Sequence, residues 1–235
     1  WFATNPALGK RISVGAVEDE LSLFSPDGFA RERLGWWPKQ SVASAINAED
    51  WDALKTLNPP TEGKKAYGIK FAPDGSVVAL AVALKPREGK PHIEVIDHRS
   101  MSSGNKWLVD WLTDRWKEAS VIVIDGKSGA ENLVNALNAN KVASKVICLP
   151  KVGDVITACT TLLNDINEMS FTHFDQPALN MAATNARKRP IGDRGGWGWG
   201  GINDVDVTPL EAVSLALWGV KTSKRDPTRK QKVAF

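Results

Sequence analysis

The run Val121-Ile122-Val123-Ile124, closed by Asp125-Gly126, restricts the fold of this chain more than any other stretch. Four consecutive apolar residues leave no polar face, so a strand built from them must be covered on both sides, which calls for helices above and below a sheet. A helical pattern precedes the run: across Lys106–Lys117, the pairs Trp107, Trp111 and Leu108, Leu112 recur at helical spacing. Another, Asn132–Leu137, follows it, and Lys145–Leu149 reads as a second buried strand. This part of the chain alternates α and β.

The pattern upstream is different. Ala66–Phe71, Ser76–Leu84 and His92–Asp97 read as strands in quick succession, the first two joined by the turn formers Pro73-Asp74-Gly75. Downstream, Val155–Ile166, Pro177–Ala186 and Pro209–Trp218 supply further helices. Three antiparallel strands leading into β-α-β units with flanking helices is the order of an RNase H-like α/β domain, an order that other α/β folds also allow. Residues 1–63 mix Pro, Gly, Trp and charge with weak periodicity, apart from a helical stretch at Asn47–Leu57 and an amphipathic fragment at Phe29–Leu34, and read as a linker. Asn58-Pro59-Pro60 and Glu62-Gly63-Lys64-Lys65 mark its end, because adjacent prolines deny backbone donors and push the preceding residue out of the helical region. A compact domain is expected over residues 64–222, with a basic tail at 223–235.

With 43% hydrophobic and 24% charged residues, the composition is that of a chain that folds. A net charge of +3 does not by itself announce a nucleic-acid binder, so local clusters matter more. Arg187, Lys188 and Arg189 form one, with Arg194 nearby; Lys221, Lys224, Arg225, Arg229, Lys230 and Lys232 form another. Cys148 and Cys159, without a CxxC or a neighbouring His, read as reduced core residues. No apolar stretch approaches the ~18–20 residues a membrane span needs, and the N-terminus lacks a signal-peptide pattern. A soluble intracellular protein is expected.

Hard divalent ions take carboxylate oxygens, so acids stranded at the ends of apolar strands or beside helix starts are the candidates for metal chemistry. Asp125 is the foremost, held at a strand-to-helix corner ahead of Ser128-Gly129-Ala130-Glu131, which has the form of a capping box. Asp204 and Asp206 precede a second helix start, in which Thr208 suits the N-cap, Pro209 the first helical position, and Glu211 a capping duty. That leaves at least one aspartate free to bind metal. Asp74 is explained by turn chemistry and Asp97 by a solvated strand end, yet both stay candidates. His173 reads as an auxiliary group or a hydrogen-bonded structural residue, and the Gly195–Gly201 run as a strand that packs Trp197 and Trp199 into the core.

Taken in order, several segments resemble the C-terminal nuclease domain of tailed-phage large terminases. Asn5-Pro6-Ala7-Leu8-Gly9 and Phe29-Ala30-Arg31-Glu32-Arg33-Leu34-Gly35 are similar to the stretch linking that family's ATPase to its nuclease. Gly68-Ile69-Lys70-Phe71-Ala72-Pro73-Asp74-Gly75 resembles the first nuclease strand, and Val123-Ile124-Asp125-Gly126 the strand bearing the second acid. His173-Phe174-Asp175-Gln176-Pro177, Gly195-Gly196-Trp197-Gly198-Trp199 and Asp204-Val205-Asp206-Val207-Thr208-Pro209 resemble the ending.

The resemblance implies an RNase H-like, metal-dependent endonuclease that cuts concatemeric double-stranded viral DNA during packaging, using two Mg²⁺ or Mn²⁺ ions. It also implies work beside an ATPase domain, a small terminase subunit and the portal in the host cytoplasm. By it, Asp125 and Asp206 match the second and third metal-binding acids, with Asp204 beside them. The first acid is replaced by Lys70, so Asp74 or Asp97 would have to complete the site, and Lys70 would contact a phosphate. Arg187, Lys188, Arg189 and Arg194 would touch the DNA backbone. The alternative is a catalytically impaired DNA-binding or portal-docking module. No GxxxxGK[ST] loop occurs, so the motor is expected to lie in a larger protein.

Overall fold

Alternation in the strands explains how the domain is layered. The sheet strands β1 (Lys64–Phe71), β2 (Val77–Lys85) and β3 (His92–Ser100) pair antiparallel in sequence order. Along β2, Ala79, Ala81 and Ala83 face one side while Val78 and Leu80 face the other. The side of small residues accepts a closely packed helix, and the side of branched residues fills the space beneath two more distant ones.

The computed structural model describes residues 9–23, 29, 43–192 and 195–229. Contacts divide the chain into two units, Trp1–Ala43 and Ser44–Phe235. In the first, helix α1 (Val14–Leu23) belongs to a small apolar cluster in which Val17 and Phe29 are buried against Ile12. The amphipathic fragment after Phe29, the Asn5–Gly9 stretch before Gly9, Arg194, Lys230 and Lys232 lie outside the described residues.

The second unit opens with α2 (Ala48–Asp52) and β1–β3, followed by α3 (Lys106–Arg115), β4 (Ala119–Asp125), α4 (Ala130–Ala139) and β5 (Ile147–Cys148). Then come α5 (Val152–Asn167), β6 (Thr172–His173), α6 (Pro177–Thr184), a hairpin of β7 (Ala186–Ile191) and β8 (Gly196–Gly201), and α7 (Thr208–Thr222). The six-stranded sheet has the order β5-β4-β1-β2-β3-β6, with β4 parallel to β1, β5 parallel to β4 and β6 parallel to β3. This is the mixed, antiparallel-then-parallel sheet expected of an RNase H-like domain. Ile46, Trp51 and Leu54 are packed into this unit's core, so it takes in residues before Lys64 that composition alone marks as linker.

One layer, α3 and α4, covers the sheet face that carries Tyr67, Ile69, Phe71, Val78, Leu80, Ile122 and Ile124. On the other face α7 lies across β1, β2 and β4, itself covered by α5 and α6, with Trp199 of β8 bonded to it. Nearly every residue of α7 from Thr208 to Val220 is buried, as a helix apolar on all sides demands. Its approach to the sheet is set by glycine: a Cβ on Gly68 would sit 2.1 Å from the Ala212 carbonyl oxygen, and one on Gly219 would sit 2.9 Å from Val121 and Val123.

Several local expectations are corrected. The helix expected over Pro177–Ala186 ends at Thr184, and the cluster Arg187–Arg189 runs in strand β7. Ser128 does not cap α4: its hydroxyl donates to the Ala72 carbonyl oxygen at 2.7 Å, tying the β4–α4 turn to the end of β1, and Gly129 is the N-cap. Cys159 is buried as expected, whereas Cys148 is half-buried, and both are free thiols. No helix among the described residues is long and apolar enough to cross a membrane.

The Gly68 contact yields a stability test. Because the obstacle is main chain on both sides, Gly68→Ala must push α7 off the sheet, and it is expected to destabilise the domain by about 1–3 kcal/mol in urea unfolding followed by circular dichroism. An unchanged midpoint would refute the close approach.

Candidate functional site

The site lies on the rim where β1 and β4 end and α7 begins. Lys70 is in register with Asp125 of β4 on one side and with Ala79 of β2 on the other, and Ala79 is in register with His98 of β3. Residues in register share a face, so Asp125, Lys70, Ala79 and His98 form one row across four strands, on the face that α7 covers.

Each position has a local cause. Asp125 is fixed by the sharp turn behind it: Gly126 has φ 107, and Cβ atoms on Gly126 or Gly129 would come within 2.6 Å of the Phe71 carbonyl oxygen and 2.4 Å of its ring, respectively. The first turn of α7 brings Glu211 over Lys70. Asp206 stands just before the helix and accepts from the Thr208 backbone N–H at 2.9 Å and from its hydroxyl at 2.8 Å. Thr208 is therefore the first helical residue rather than the N-cap, which is Val207, and Asp206 has a local duty as well as a place on the rim.

The charges meet in two groups. Lys70 Nζ lies 2.5 Å from Asp125 Oδ2 and 3.3 Å from Glu211 Oε1, with Lys70 and Glu211 nearly buried. Burial works against the Lys70 charge, but the Glu211 and Asp125 carboxylates outweigh it and hold the ammonium above the ordinary lysine pKa. Burial pushes the Glu211 carboxyl up, opposed by that same ammonium. In the second group, His98 Nε2 lies 2.7 Å from Asp206 Oδ2. A carboxylate only accepts, so this nitrogen carries the proton. Burial raises the Asp206 pKa, yet the bonds from His98 and Thr208 prevail and hold it below the usual carboxylate range.

Glu211 and His98 belong to the rim although a motif-level reading gives neither a part in it. Glu211 does not serve the capping duty expected of it; its carboxylate goes to Lys70. The signal was a lone acid in a helix otherwise apolar on every side, which needs a buried partner. His98 arrives through a β-bulge. Val95 pairs with Ala81 but Asp97 pairs with Leu80, so Ile96 is an extra residue, and from there the faces of β3 exchange. Strict alternation after Ile93 and Val95 would send Asp97 to the rim. The bulge sends His98 there and turns Asp97 to the α3 side, where Arg99, paired with Asp97 at 2.5 Å, lies over the Trp107 ring.

The remaining candidates stand at varied distances from the row. Asp74 is exposed in the β1–β2 turn, where it accepts from the Ser76 N–H and hydroxyl, and these bonds lower its pKa while the field of Asp206 acts against them. Asp204 is exposed in a left-handed turn with φ 58. His173 is fully buried at the opposite end of β3, paired with Ile93, with both ring nitrogens against main-chain carbonyls and its ring stacked on Trp51 at 4.1 Å. It is built into the core and does not join the acids.

Arg187, Lys188 and Arg189 are exposed on β7. Arg189 leans over the glycines of β8, where a Cβ on Gly200 would lie 3.0 Å from its own, and its charge reaches Glu211. Trp199 on the alternate positions is buried and donates to Ser214 at 3.0 Å, so the Gly-Trp alternation does pack an indole into the core.

Hard carboxylate oxygens suit Mg²⁺ or Mn²⁺. The arrangement does not fit two ions as it stands, because the Lys70 ammonium engages both Asp125 and Glu211, and among the described residues no group of three or more His, Cys, Asp or Glu side chains is disposed to hold a metal.

Neither a protein-family profile nor a curated protein sequence matches the chain. Solved structures do. The large terminase of bacteriophage HK97 superposes with a TM-score of 0.55 at 14% identity, over 93% of this chain and 53% of that one. The large-terminase nuclease of thermophilic phage G20c gives 0.55 at 14% identity, over 74% of this chain and 97% of that one. The same nuclease with bound magnesium gives 0.52 at 12% identity, over 75% and 97%. The chain thus has the RNase H-like fold of large-terminase nuclease domains, and spans about half of the HK97 protein.

The ion pairs generate a prediction. Lys70→Met strands a buried carboxylate and should cost about 3–5 kcal/mol in chemical denaturation, whereas Lys70→Met/Glu211→Leu should recover most of that loss. Equal losses in the single and double variants would show that Glu211 does not depend on Lys70.

Proposed function

We propose that this chain is the nuclease module of a tailed-phage large terminase, acting on concatemeric double-stranded viral DNA as an endonuclease that requires Mg²⁺ or Mn²⁺. The observation that carries the reading is the rim itself. Asp125 from the end of β4 and Asp206 from the start of α7 are delivered to one edge of the sheet, in the fold of large-terminase nucleases. In this reading Asp125 and Asp206 are the principal acids, Glu211 joins them, and Asp74 and Asp204 flank them. The exposed Arg187, Lys188 and Arg189 bind phosphates, with Arg194 further along the same segment. The ATPase domain, the small terminase subunit and the portal are the partners it would work beside.

A second reading rests on one specific contact. Lys70 holds Asp125 and Glu211 directly, which favours a catalytically impaired DNA-binding or portal-docking module. Supercoiled-plasmid cleavage separates the two. Under the first, the parent nicks plasmid in Mn²⁺ or Mg²⁺ and not in EDTA, Asp125→Ala and Asp206→Ala fall to background while remaining folded, and Asp74→Ala retains most of the activity. A folded parent that cuts under no metal eliminates the endonuclease and leaves the binding module.

Duplex binding is testable in either case. Single Arg187→Ala, Lys188→Ala or Arg189→Ala changes should weaken fluorescence-anisotropy affinity equally for unrelated sequences, and each should flatten the slope of log K against log salt by about 1. An unaltered slope would remove the hairpin from the DNA interface.

A further inference from the structure

We infer that the Lys70 ammonium is a tethered cation that competes with a divalent ion for the Asp125 and Glu211 oxygens, so that this pair binds the ion more tightly once the ammonium is gone. The inference rests on reading the rim as the nuclease site. It concerns what occupies that site.

Three observations support it. First, one nitrogen lies within 3.3 Å of oxygens from two carboxylates delivered by different elements, β4 and α7. A single cation therefore already bridges them, and a divalent ion would compete for the same lone pairs. Second, positive charge converges on this pair: the Lys70 ammonium faces both carboxyl groups and the Arg189 charge reaches Glu211, whereas Asp206 is bonded to His98 rather than to this group. The pair therefore draws cations, and Lys70 is the one that reaches both oxygens. Third, backbone constraints hold the donors in place without the lysine. Gly126 and Gly129 over Phe71 fix the end of β4, and Gly68 against Ala212 fixes the first turns of α7. Removing the Lys70 side chain thus leaves two facing carboxylates and a vacated volume, rather than a collapsed rim.

Lysine suits this task because its charge is a compact point on a flexible stem, which can settle between two acids where a planar guanidinium could not. Lys70 stands on the opening strand, the position at which the resemblance to large terminases calls for an acid. One substitution there both deletes a ligand and supplies a replacement for the ion.

The test measures Mn²⁺ binding by isothermal titration calorimetry and by metal-dependent thermal unfolding, for the parent, Lys70→Ala, Lys70→Gln and Lys70→Ala/Glu211→Gln. Without metal, both single variants should melt below the parent. Mn²⁺ should raise their Tm, with an apparent Kd at least tenfold lower than the parent's, and Glu211→Gln should abolish the gain. Equal Mn²⁺ affinity in parent and single variants, or a gain that survives Glu211→Gln, overturns the inference. If neither single variant folds in EDTA, refolding on Mn²⁺ addition, read by circular dichroism, supports it, and failure to refold refutes it. Plasmid nicking is scored separately: a parent that never nicks removes the endonuclease reading while the binding gain stands, and a parent that nicks without any gain in the variants removes this inference alone.

Discussion

The burial of α7 on every side organises the domain. A helix enclosed by a sheet on one face and by α5 and α6 on the other must approach that sheet closely, and the approach is possible because Ala66, Gly68, Ala79, Ala81 and Ala83 present almost no side chain beneath it. Two consequences follow. The helix register is fixed by backbone contact at Gly68 rather than by interdigitating side chains, so its first turn has a defined height above the ends of β1 and β4. Any polar group on the helix must also find its partner within the fold, because water is excluded from it. Ser214 answers with Trp199, and Glu211 with Lys70.

The rim is therefore as much a product of packing as of chemistry. Lys70 could not be buried on β1 without carboxylates, and Glu211 could not be buried on α7 without a cation. Each makes the other tolerable, and Asp125, less enclosed, completes the group. Asp206 is stabilised independently, by bonds from Thr208 and His98 that overcome the effect of its own burial. The two groups share an edge of the sheet but have separate supports, so altering Lys70 leaves the Asp206 environment standing.

Much of this architecture was legible in the sequence, and the losses have identifiable causes. The run Val121–Ile124 gave away a doubly covered strand, and the three strands before it an antiparallel meander, because period and apolarity are local properties. Asp125 and Asp206 could be singled out because each ends an element. Glu211 could not be assigned correctly, since its spacing from Thr208 imitates a capping box and only the tertiary position of β1 reveals its partner. Asp97 and His98 were interchangeable by sequence: one unpaired residue, Ile96, decides which of them faces α7, and a bulge leaves no compositional mark. Of the β7–β8 hairpin, the Gly-Trp strand was legible but its partner was missed for a related reason, as β7 is charged and exposed along most of its length and carries no apolar alternation.

The lysine on the opening strand balances charge from within the fold. Carboxylates gathered at one rim repel each other when no cation lies between them, and that repulsion opposes folding. Supplying the positive charge from within the chain removes this opposition permanently, without moving α7 or β4. The same substitution ties up oxygens that an ion would need. Stability of the empty state and readiness to bind metal thus pull in opposite directions at a single position, which is the usual form of conflict between stability and function. The likeness of this chain to large-terminase nucleases therefore speaks to the scaffold, while Lys70 occupies the space between the Asp125 and Glu211 carboxyl groups.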